Sequence, residues 1–496
     1  MSVENFPPLM FAGLILIMLI GFPVAFSLSA LGLMSGFFAI YMGWFPASFL
    51  SGLPLNVFGI LSNDLLLAIP FFTLMGTILE RCGLAEDMLD SMGQLFGTVK
   101  GGLGYSVILV GFILGAITGT VAGQVIAMAM ISLPVMMRYG YNIRYATGVL
   151  AASGTITQLV PPSLVLVVMA DQLGKSVGDM YKGAWGPSLI QILLFAVYTF
   201  VLTRLRPNDL PGIPKESRTL KGWALWKKCL RGIIPSAILI FAVLGSMGGL
   251  PGIDMAIATP TEAGAMGAVG AFILAGLSRR LNLSVIREGL TSTMRITAMV
   301  VFILIGSRLF SLVFQGVDGA KWIEHLLISL PGGQVGFLIA VNVFIFFLAF
   351  FLDFFEIAFI ILPMLGPVAE KMGINMIWFG VLLCVNMQSS FMHPPFGFAL
   401  FYLRGIADTL FKNGSIPKKI ESNDIYLGAI PWVCLQLLLV VIEIFVPQTV
   451  TIFLDKEVKV DLNSIQLEAP SEDTSHPAEQ TDKSMMDDLM KEYQKK

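Results

Sequence analysis

The chain is poor in the residues that soluble catalysis draws on. Three histidines (His325, His393, His476) and four cysteines are scattered through 496 residues, and charged side chains make up 13% of the sequence. No HExxH pair, no Walker A loop and no CxxC or Cys/His metal spacing occurs, so zinc hydrolysis, ATP-driven pumping by this chain and a metal cluster all lack their signatures. An intramembrane aspartyl protease would need a second acid in a suitable motif, and none is found. A formal net charge of −2 with no basic surface pattern excludes a nucleic-acid binder. Cys82, Cys229, Cys384 and Cys434 form no pair by spacing, and three of them sit in or beside apolar runs, as small buried residues do.

Hydrophobic residues, by contrast, make up 56% of the chain, in recurrent stretches long enough to span a bilayer, which takes about 20 apolar residues. Runs such as "VGFLIAVNVFIFFLAFFL" lack the strict alternation of a membrane β-barrel. The fold class is therefore an all-α polytopic membrane protein. The opening "MSVENFPPLMFAGLILIMLIGF" has no basic n-region and no small-residue cleavage site, and is expected to be a retained span rather than a signal peptide. Between Arg204 and Arg231 lie Arg206, Lys215, Arg218, Lys221, Lys227 and Lys228 against only Asp209 and Glu216, which the positive-inside rule places in the cytoplasm. Beyond about Leu454 the chain is polar and acidic and too poor in apolar residues to pack a core.

A weak repeat runs through the apolar part. "GFPVAFSLSALGLMSGFF" parallels "ATPTEAGAMGAVGAFI", setting Pro23 against Pro260, and "FTLMG" parallels "FILIG". "GGLGYSVILVGFILGAITGT" parallels "GGQVGFLIAVNVFIFFLAFFLD", "GYN" (140–142) matches "GIN" (373–375), "LVPPS" matches "MHPPF", and "YKGAWGP" matches "YLGAIP". The expected layout is a first repeat over 1–204, a basic cytoplasmic linker over 205–232, a second repeat over 233–450 and a disordered acidic tail over 451–496. In the first repeat, spans near 7–26, 29–45 and 62–80 precede a hairpin at about 103–136, a Pro-Pro-broken helix at about 143–173 and a last span at 183–204. The second repeat places its hairpin at about 335–369 and its broken helix at about 376–406. If the hairpins are re-entrant, each half crosses an odd number of times and the repeats are inverted, with both termini periplasmic. Inverted repeats with broken helices are a secondary-transporter architecture, in which ligands bind where helices are interrupted.

The interruptions carry the candidate chemistry. Pro161 and Pro162 remove two N–H donors, so carbonyls around Thr155 to Gln158 are expected to lose helical partners, which a cation with a few hydroxyls can replace. "TGT" (Thr118, Gly119, Thr120) and "SGT" (Ser153, Gly154, Thr155) offer such hydroxyls, although small Ser/Thr/Gly clusters also serve as packing surfaces between membrane helices. In the second half Asp353 and Glu356 fall at the hairpin turn, either as functional acids at membrane depth or as solvated tip residues. Asn386, Gln388, Ser389, Ser390 and His393 precede Pro394 and Pro395, where His393 is either a hydrogen-bonded structural residue or a proton relay. Arg404, just beyond, is the candidate for meeting an anion. Glu262 reads best as a helix N-terminal charge or interhelical tie, Arg308 as packing or a snorkelling end, and "LAEDMLDSMGQLFG" (84–97) as an interfacial arm helix rather than a span.

The motifs "AIPFFTLMG", "YNIRYATGVLAASGTITQLVPPS", "ATPTEAGAMGAV" and "HPPFGFALFYLRG" resemble those of the large membrane subunit of tripartite ATP-independent periplasmic transporters, over about residues 5 to 450. The resemblance implies an elevator-type, sodium-coupled importer of an organic acid in a bacterial or archaeal inner membrane. Its partners would be a small four-helix membrane subunit and a periplasmic substrate-binding protein, with sodium as coupling ion and no organic cofactor. One sodium site would be lined by Thr118, Gly119, Thr120, Ser153, Gly154, Thr155, Pro161, Pro162 and Ser163. A second would be lined by Asp353, Gln388, Ser389, Ser390 and His393. Thr120, Ser163, Gln388, Ser389 and Arg404 are the substrate candidates. His393 stands where the family usually has Thr or Ser, and "DFFE" is bulkier and more acidic than the usual tip. A stand-alone sodium/carboxylate symporter of the same architecture and a non-transporting membrane assembly subunit are the alternatives.

Overall fold

The structure, a computed structural model, describes residues 3–214, 222–253, 256–393 and 397–454. α1 (Phe6–Ile20) stops at Gly21, whose φ is 88°, and Pro23 caps the start of α2 (Val24–Tyr41). The sequence reading ran the first span to about 26 and began the second at 29. The break comes earlier because Gly21 supplies a helix stop and Pro23 a helix start. α3 (Leu53–Leu61) meets α4 (Asp64–Arg81) at 45°, and the Asn63 side chain caps α4 by accepting from the Leu65 N–H.

α5 (Leu84–Phe96) is the expected arm. It buries Met88, Leu89 and Met92 while Asp87 pairs with Arg280 at 3.1 Å and Asp90 pairs with Lys228. α6 (Gly102–Thr118) and α7 (Val121–Arg138) form the first hairpin. Gly119 turns it at φ 62°, a left-handed conformation that a side chain would strain. α8 (Ile143–Thr155) runs into a 3₁₀ turn at Ile156–Gln158, and α9 (Leu164–Leu173) resumes after the prolines. α10 (Val177–Leu205), capped by Ser176, starts six residues before the expected 183.

The second half repeats this order. α11 (Trp223–Ser246), α12 (Pro260–Leu277) and α13 (Leu283–Gly316) come first, followed by α14 (Gly319–Ile328). Thr259 and Glu262 form a capping box at the start of α12, the structural role anticipated for Glu262. α15 (Gly333–Leu348) enters the second hairpin, which returns through α16 (Phe354–Glu356), a π turn at Ile357–Ile361 and α17 (Leu362–Lys371). α18 (Met376–Met387), a 3₁₀ turn at Gln388–Met392 and α19 (Phe398–Lys412) make the second broken helix. α20 (Ser422–Phe445) and α21 (Gln448–Thr451) close the described chain.

Among the described residues, eight helices are long and apolar enough to cross a membrane. They are not packed half against half. α2 lies along α13, α4 along α12 and α13, α8 along α20, α7 against α19, and α9 against α18. All of these contacts join the two halves. One layer holds α2, α4, α12 and α13; the hairpins, broken helices, α10 and α20 make the other.

The linker needs correction at its second end, where Lys227, Lys228 and Arg231 already belong to α11. Its first end folds back on the hairpin base. The Asp209 carbonyl accepts from the Asn142 N–H at 2.9 Å, the Leu210 carbonyl from the Gly101 N–H at 3.0 Å, and the Ile213 N–H donates to Gly97. These bonds fix where the first hairpin and first broken helix begin. Residues 215–221 of the linker and 455–496 of the tail lie outside the described residues. All four cysteines are free, with Cys82, Cys229 and Cys384 buried and Cys434 exposed.

Candidate functional site

The first junction is where the hairpin meets the first broken helix. Gly111 of α6 lies against Ser153 and Gly115 against Thr157, so the Thr118–Thr120 tip extends about one helical turn, ~5.4 Å, beyond Thr157. Gly154 lets α7 approach: a Cβ there would sit 2.2 Å from Val125 Cγ2. Of the carbonyls of Thr155 to Gln158, for which a cation was the expected partner, those of Ile156 and Gln158 already have partners within the protein. Ser163 donates to the Gln158 carbonyl at 2.5 Å while accepting from the Val165 N–H, capping α9. The Ile156 carbonyl accepts the N–H groups of Leu159 and Val160. Gln124, on α7, donates to the carbonyls of Gly111 at 2.6 Å and Ser153 at 2.8 Å and accepts from the Thr157 hydroxyl. A break inside apolar surroundings needs such partners, since each unsatisfied backbone group there costs several kcal/mol by rough estimate.

What this network leaves over, among the described residues, is the fully buried Ser153 hydroxyl and the buried Gln158 Oε1, neither with a hydrogen-bond partner. Thr155 is occupied: it donates to the Ala152 carbonyl at 2.9 Å and accepts from Gln436 Nε2 at 2.9 Å. Pro161 and Pro162 are buried and joined by a cis bond. Thr120 is the N-cap residue of α7 without a side-chain cap bond, and the Thr118 side chain lies outside the described residues.

The second junction has the same plan with different side chains. Asn386 Nδ2 donates to the Asn342 carbonyl at 2.8 Å and to Asn342 Oδ1 at 3.0 Å. In the repeat match Asn342 corresponds to Gly111 and Asn386 to Ser153. At the position matching Ser153 the leftover atom is again a buried oxygen, Asn386 Oδ1, with no partner among the described residues. Ser389 and Ser390 donate back to the carbonyls of Asn386 and Met387, both at 2.7 Å.

Asp353 and Glu356 form a capping box at the hairpin tip, each carboxylate accepting the other's backbone N–H at 2.9 Å. Both line a 450 Å³ cavity with Pro23, Phe26, Met299 and Phe302, facing α2 and α13. Among the described residues, no hydrogen bond joins Asp353 to Ser389, Ser390 or His393. The His393 ring is wedged between Phe346 and Phe350, with centroids 4.5 and 4.4 Å away, and neither ring nitrogen is hydrogen-bonded. It is therefore an aromatic-packed residue, not the hydrogen-bonded one that sequence reasoning offered. Pro394 and Pro395 lie outside the described residues.

Two amides stitch the halves together. Gln191 of α10 donates to Gln388 Oε1 at 2.7 Å, and Gln436 of α20 donates to Thr155 at 2.9 Å. The residue offset that aligns Tyr181 with Tyr426 also aligns Gln191 with Gln436, and the offset that aligns Asn142 with Asn375 also aligns Thr155 with Gln388. The two bridges are thus copies of one another, each running from the long helix of one half to the break of the other. Sequence reasoning missed Gln124, Gln191, Gln436 and Asn342. Their signal was a lone amide inside an apolar run, a group that seeks an internal partner at membrane depth.

Arg404 is not part of this assembly. It is exposed on α19 and, among the described residues, makes no hydrogen bond or ion pair. Arg308, also exposed, lines a 290 Å³ cavity with Asn56, Asn63 and Asp171, where Asn63 donates to Asp171 at 2.8 Å.

Residues 11–449 match the family described as "Tripartite ATP-independent periplasmic transporter, DctM component". The C4-dicarboxylate TRAP transporter large permease protein DctM of Pseudomonas aeruginosa is 30% identical over 397 residues, covering 80% of this chain and 87% of that protein. The isethionate TRAP transporter permease protein DctMQ of Oleidesulfovibrio alaskensis is 25% identical over 443 residues, covering 89% of this chain and 65% of its own length. In fold, the chain resembles the YdaH transporter of Alcanivorax borkumensis with a TM-score of 0.53 at 14% identity, over 81% of this chain and 87% of that one. The chain is a multi-pass membrane protein that belongs to the DctM family, the large permease component of tripartite ATP-independent periplasmic transporters.

Proposed function

We propose that this chain carries a small organic acid across the inner membrane coupled to sodium, one ion bound at each junction. The observation that carries the reading is the pair of buried, unpartnered oxygens at repeat-related positions, Ser153 Oγ and Asn386 Oδ1. A monovalent hard cation favours several oxygen ligands of low total charge, and uncharged hydroxyl and amide oxygens beside a helix break supply them. Gly119 and Thr120 at the first tip, with Gly154, complete the neighbourhood of one ion, Thr155 being occupied by Ala152 and Gln436; Ser389 and Ser390 contribute to the other.

For the substrate, Gln388 Nε2 is a buried donor without a partner among the described residues, which suits one oxygen of a carboxylate, and the Thr120 and Ser389 hydroxyls are the further contacts. The relatives named for C4-dicarboxylates and for isethionate both handle small organic anions, which agrees with this class. The two halves are inverted copies, the basic segment after α10 faces the cytoplasm, and the layer of hairpins and broken helices moves against the layer of α2, α4, α12 and α13. A small membrane subunit and a periplasmic binding protein complete the system. The DctMQ relative, of which the matched region covers 65%, has length to spare for such a joined subunit.

The test is reconstitution in liposomes with the co-purified small subunit, measuring uptake of labelled organic acids under an inward sodium gradient with and without the binding protein. Uptake that needs both sodium and the binding protein is the expected result. Uptake with sodium alone would identify a stand-alone symporter, and uptake indifferent to sodium would overturn the coupling.

A further inference from the structure

α20 buries a carboxylic acid that neither junction uses. Glu443 has no exposed surface, and among the described residues neither carboxyl oxygen has a hydrogen-bond partner. Its contact with a neighbouring polar group is through the backbone: the Trp378 indole N–H donates to the Glu443 carbonyl at 3.0 Å. Glu443 follows Gln436 by two helical turns and so shares its face, the one that reaches Thr155 at the first junction. Its position is thus inside the bundle rather than toward lipid.

An ionised carboxylate in such a place would carry an uncompensated desolvation cost of roughly several kcal/mol even after relaxation, which a group avoids by holding a proton. A divalent or transition-metal ion is a poorer explanation, because no set of three or more His, Cys, Asp or Glu side chains among the described residues converges on one point. The helices packed at this end of α20 bring few charges. α18 contributes Cys384, itself fully buried, and α10 contributes the buried Tyr181 and Lys182, while α15 and α21 contain no titratable residue. Among the described residues, Lys182 makes no hydrogen bond to either Glu443 carboxyl oxygen.

We propose that Glu443 is a proton-binding site of the permease, protonated in this conformation and deprotonated when the helices around it open to water during the transport cycle. The step breaks the carboxyl O–H bond, leaves a carboxylate and hands the proton to a water molecule as hydronium; reclosure reverses it. Intramembrane acids in pumps and transporters commonly serve such relays. The proposal does not depend on sodium being the ion that drives uptake, since the two junctions and Glu443 are separate groups.

The test uses the full chain with its co-purified small subunit. Infrared spectra of wild type and Glu443→Gln are compared near neutral pH, and uptake is followed from about pH 6 to pH 8. The expected result is a protonated-carboxyl C=O band that the Gln variant lacks, and a pH dependence of uptake, up to about tenfold per pH unit for one proton, that flattens in the variant. If Glu443→Gln does not fold, Glu443→Asp keeps the proton site and should show the band shifted, with the pH dependence retained. A spectrum in which the variant loses no such band would overturn the proposal, as would an unchanged pH profile beside a lost band. Loss of sodium affinity in Glu443→Gln with no change in pH dependence would also overturn it, by making the acid a metal ligand.

Discussion

Ser153→Ala separates a hydroxyl kept for an ion from one kept for the fold. The Ser153 hydroxyl is fully buried and bonded to nothing in the protein. An unmatched buried hydroxyl costs about 1–3 kcal/mol, so removing it leaves the sodium-free protein as stable as before or more so. With sodium the sign reverses. Losing one ligand to a charged partner is worth roughly 1.5–3 kcal/mol, or about 10- to 150-fold in sodium affinity. Stabilisation by a ligand at one hundred times its Kd is about 2.7 kcal/mol, and a hundredfold loss of affinity reduces this at the same concentration to about 0.4 kcal/mol. Thr155→Ala is the control, because Thr155 receives Gln436 Nε2, and its loss strands that amide at a cost of about 1–3 kcal/mol with or without sodium. The assay is thermal unfolding of the purified subunit complex over a sodium series, with potassium holding ionic strength constant. If Ser153→Ala lowers the sodium-free midpoint as Thr155→Ala does, or if sodium still stabilises it as strongly as wild type, the hydroxyl is not an ion ligand.

Gln191→Leu should lower the thermal midpoint, by about 1–3 kcal/mol in stability, because Gln388 Oε1 loses its donor, and Gln436→Leu should lower it less, because Thr155 keeps its bond to the Ala152 carbonyl; equal stability of both variants with wild type would refute the bridges. Gly154→Ala places a methyl 2.2 Å from Val125 Cγ2, and overpacking of this kind costs about 1–3 kcal/mol; uptake should fall, and Val125→Ala in the same chain should restore part of it. Asp353→Ser retains a capping side chain while deleting the charge, so a protein that keeps its midpoint but loses sodium-dependent uptake would make Asp353 an ion ligand, whereas unchanged uptake leaves it a cap. At the arm, burial pushes the Asp90 carboxyl up, but hydrogen bonds from Lys228 and Gln94 and the Lys228 charge outweigh it and hold it below the usual carboxylate range. A depressed carboxyl contributes stability above its unfolded pKa and loses it as pH falls through the lower folded value. Acid should therefore loosen α5 in wild type, seen as faster amide exchange in 84–96, and Asp90→Asn should lack that step.

How much of this could be read beforehand depended on whether the determinant was local. Both hairpins and both breaks were legible because Gly119, Pro161, Pro162 and the Asp353 turn act on their own stretch of backbone. The first two span boundaries were misjudged for a related reason: Gly21 and Pro23 are a local stop and start inside a hydrophobic run whose average polarity hides them. Arg404 shows a different limit. Sequence distance from a break does not say which face of α19 a side chain takes, and the face it takes is exposed. The amides Gln124, Gln191 and Gln436 were illegible because their roles depend on which helices meet, and those meetings join residues as far apart as Thr155 and Gln436.

The duplicated bridges bear on how the junctions can move. A hydrogen bond from α10 to the second break and its copy from α20 to the first tie each junction to the other half's long helix. Moving one junction alone would break a buried amide contact and strand both of its ends in apolar surroundings, a penalty of about 1–3 kcal/mol for each group left unmatched. Moving both junctions together with α10 and α20 breaks neither bond. The polar groups at the breaks therefore favour a rigid-body displacement of the whole layer over local opening of one site. In the displacement proposed above, the contacts that would give way lie at its edge, where the Asp353 tip faces α2 and α13 across a cavity lined mostly by apolar side chains. Such a surface slides more cheaply than a hydrogen-bonded one, because apolar contacts are nondirectional and no donor has to be re-satisfied along the path.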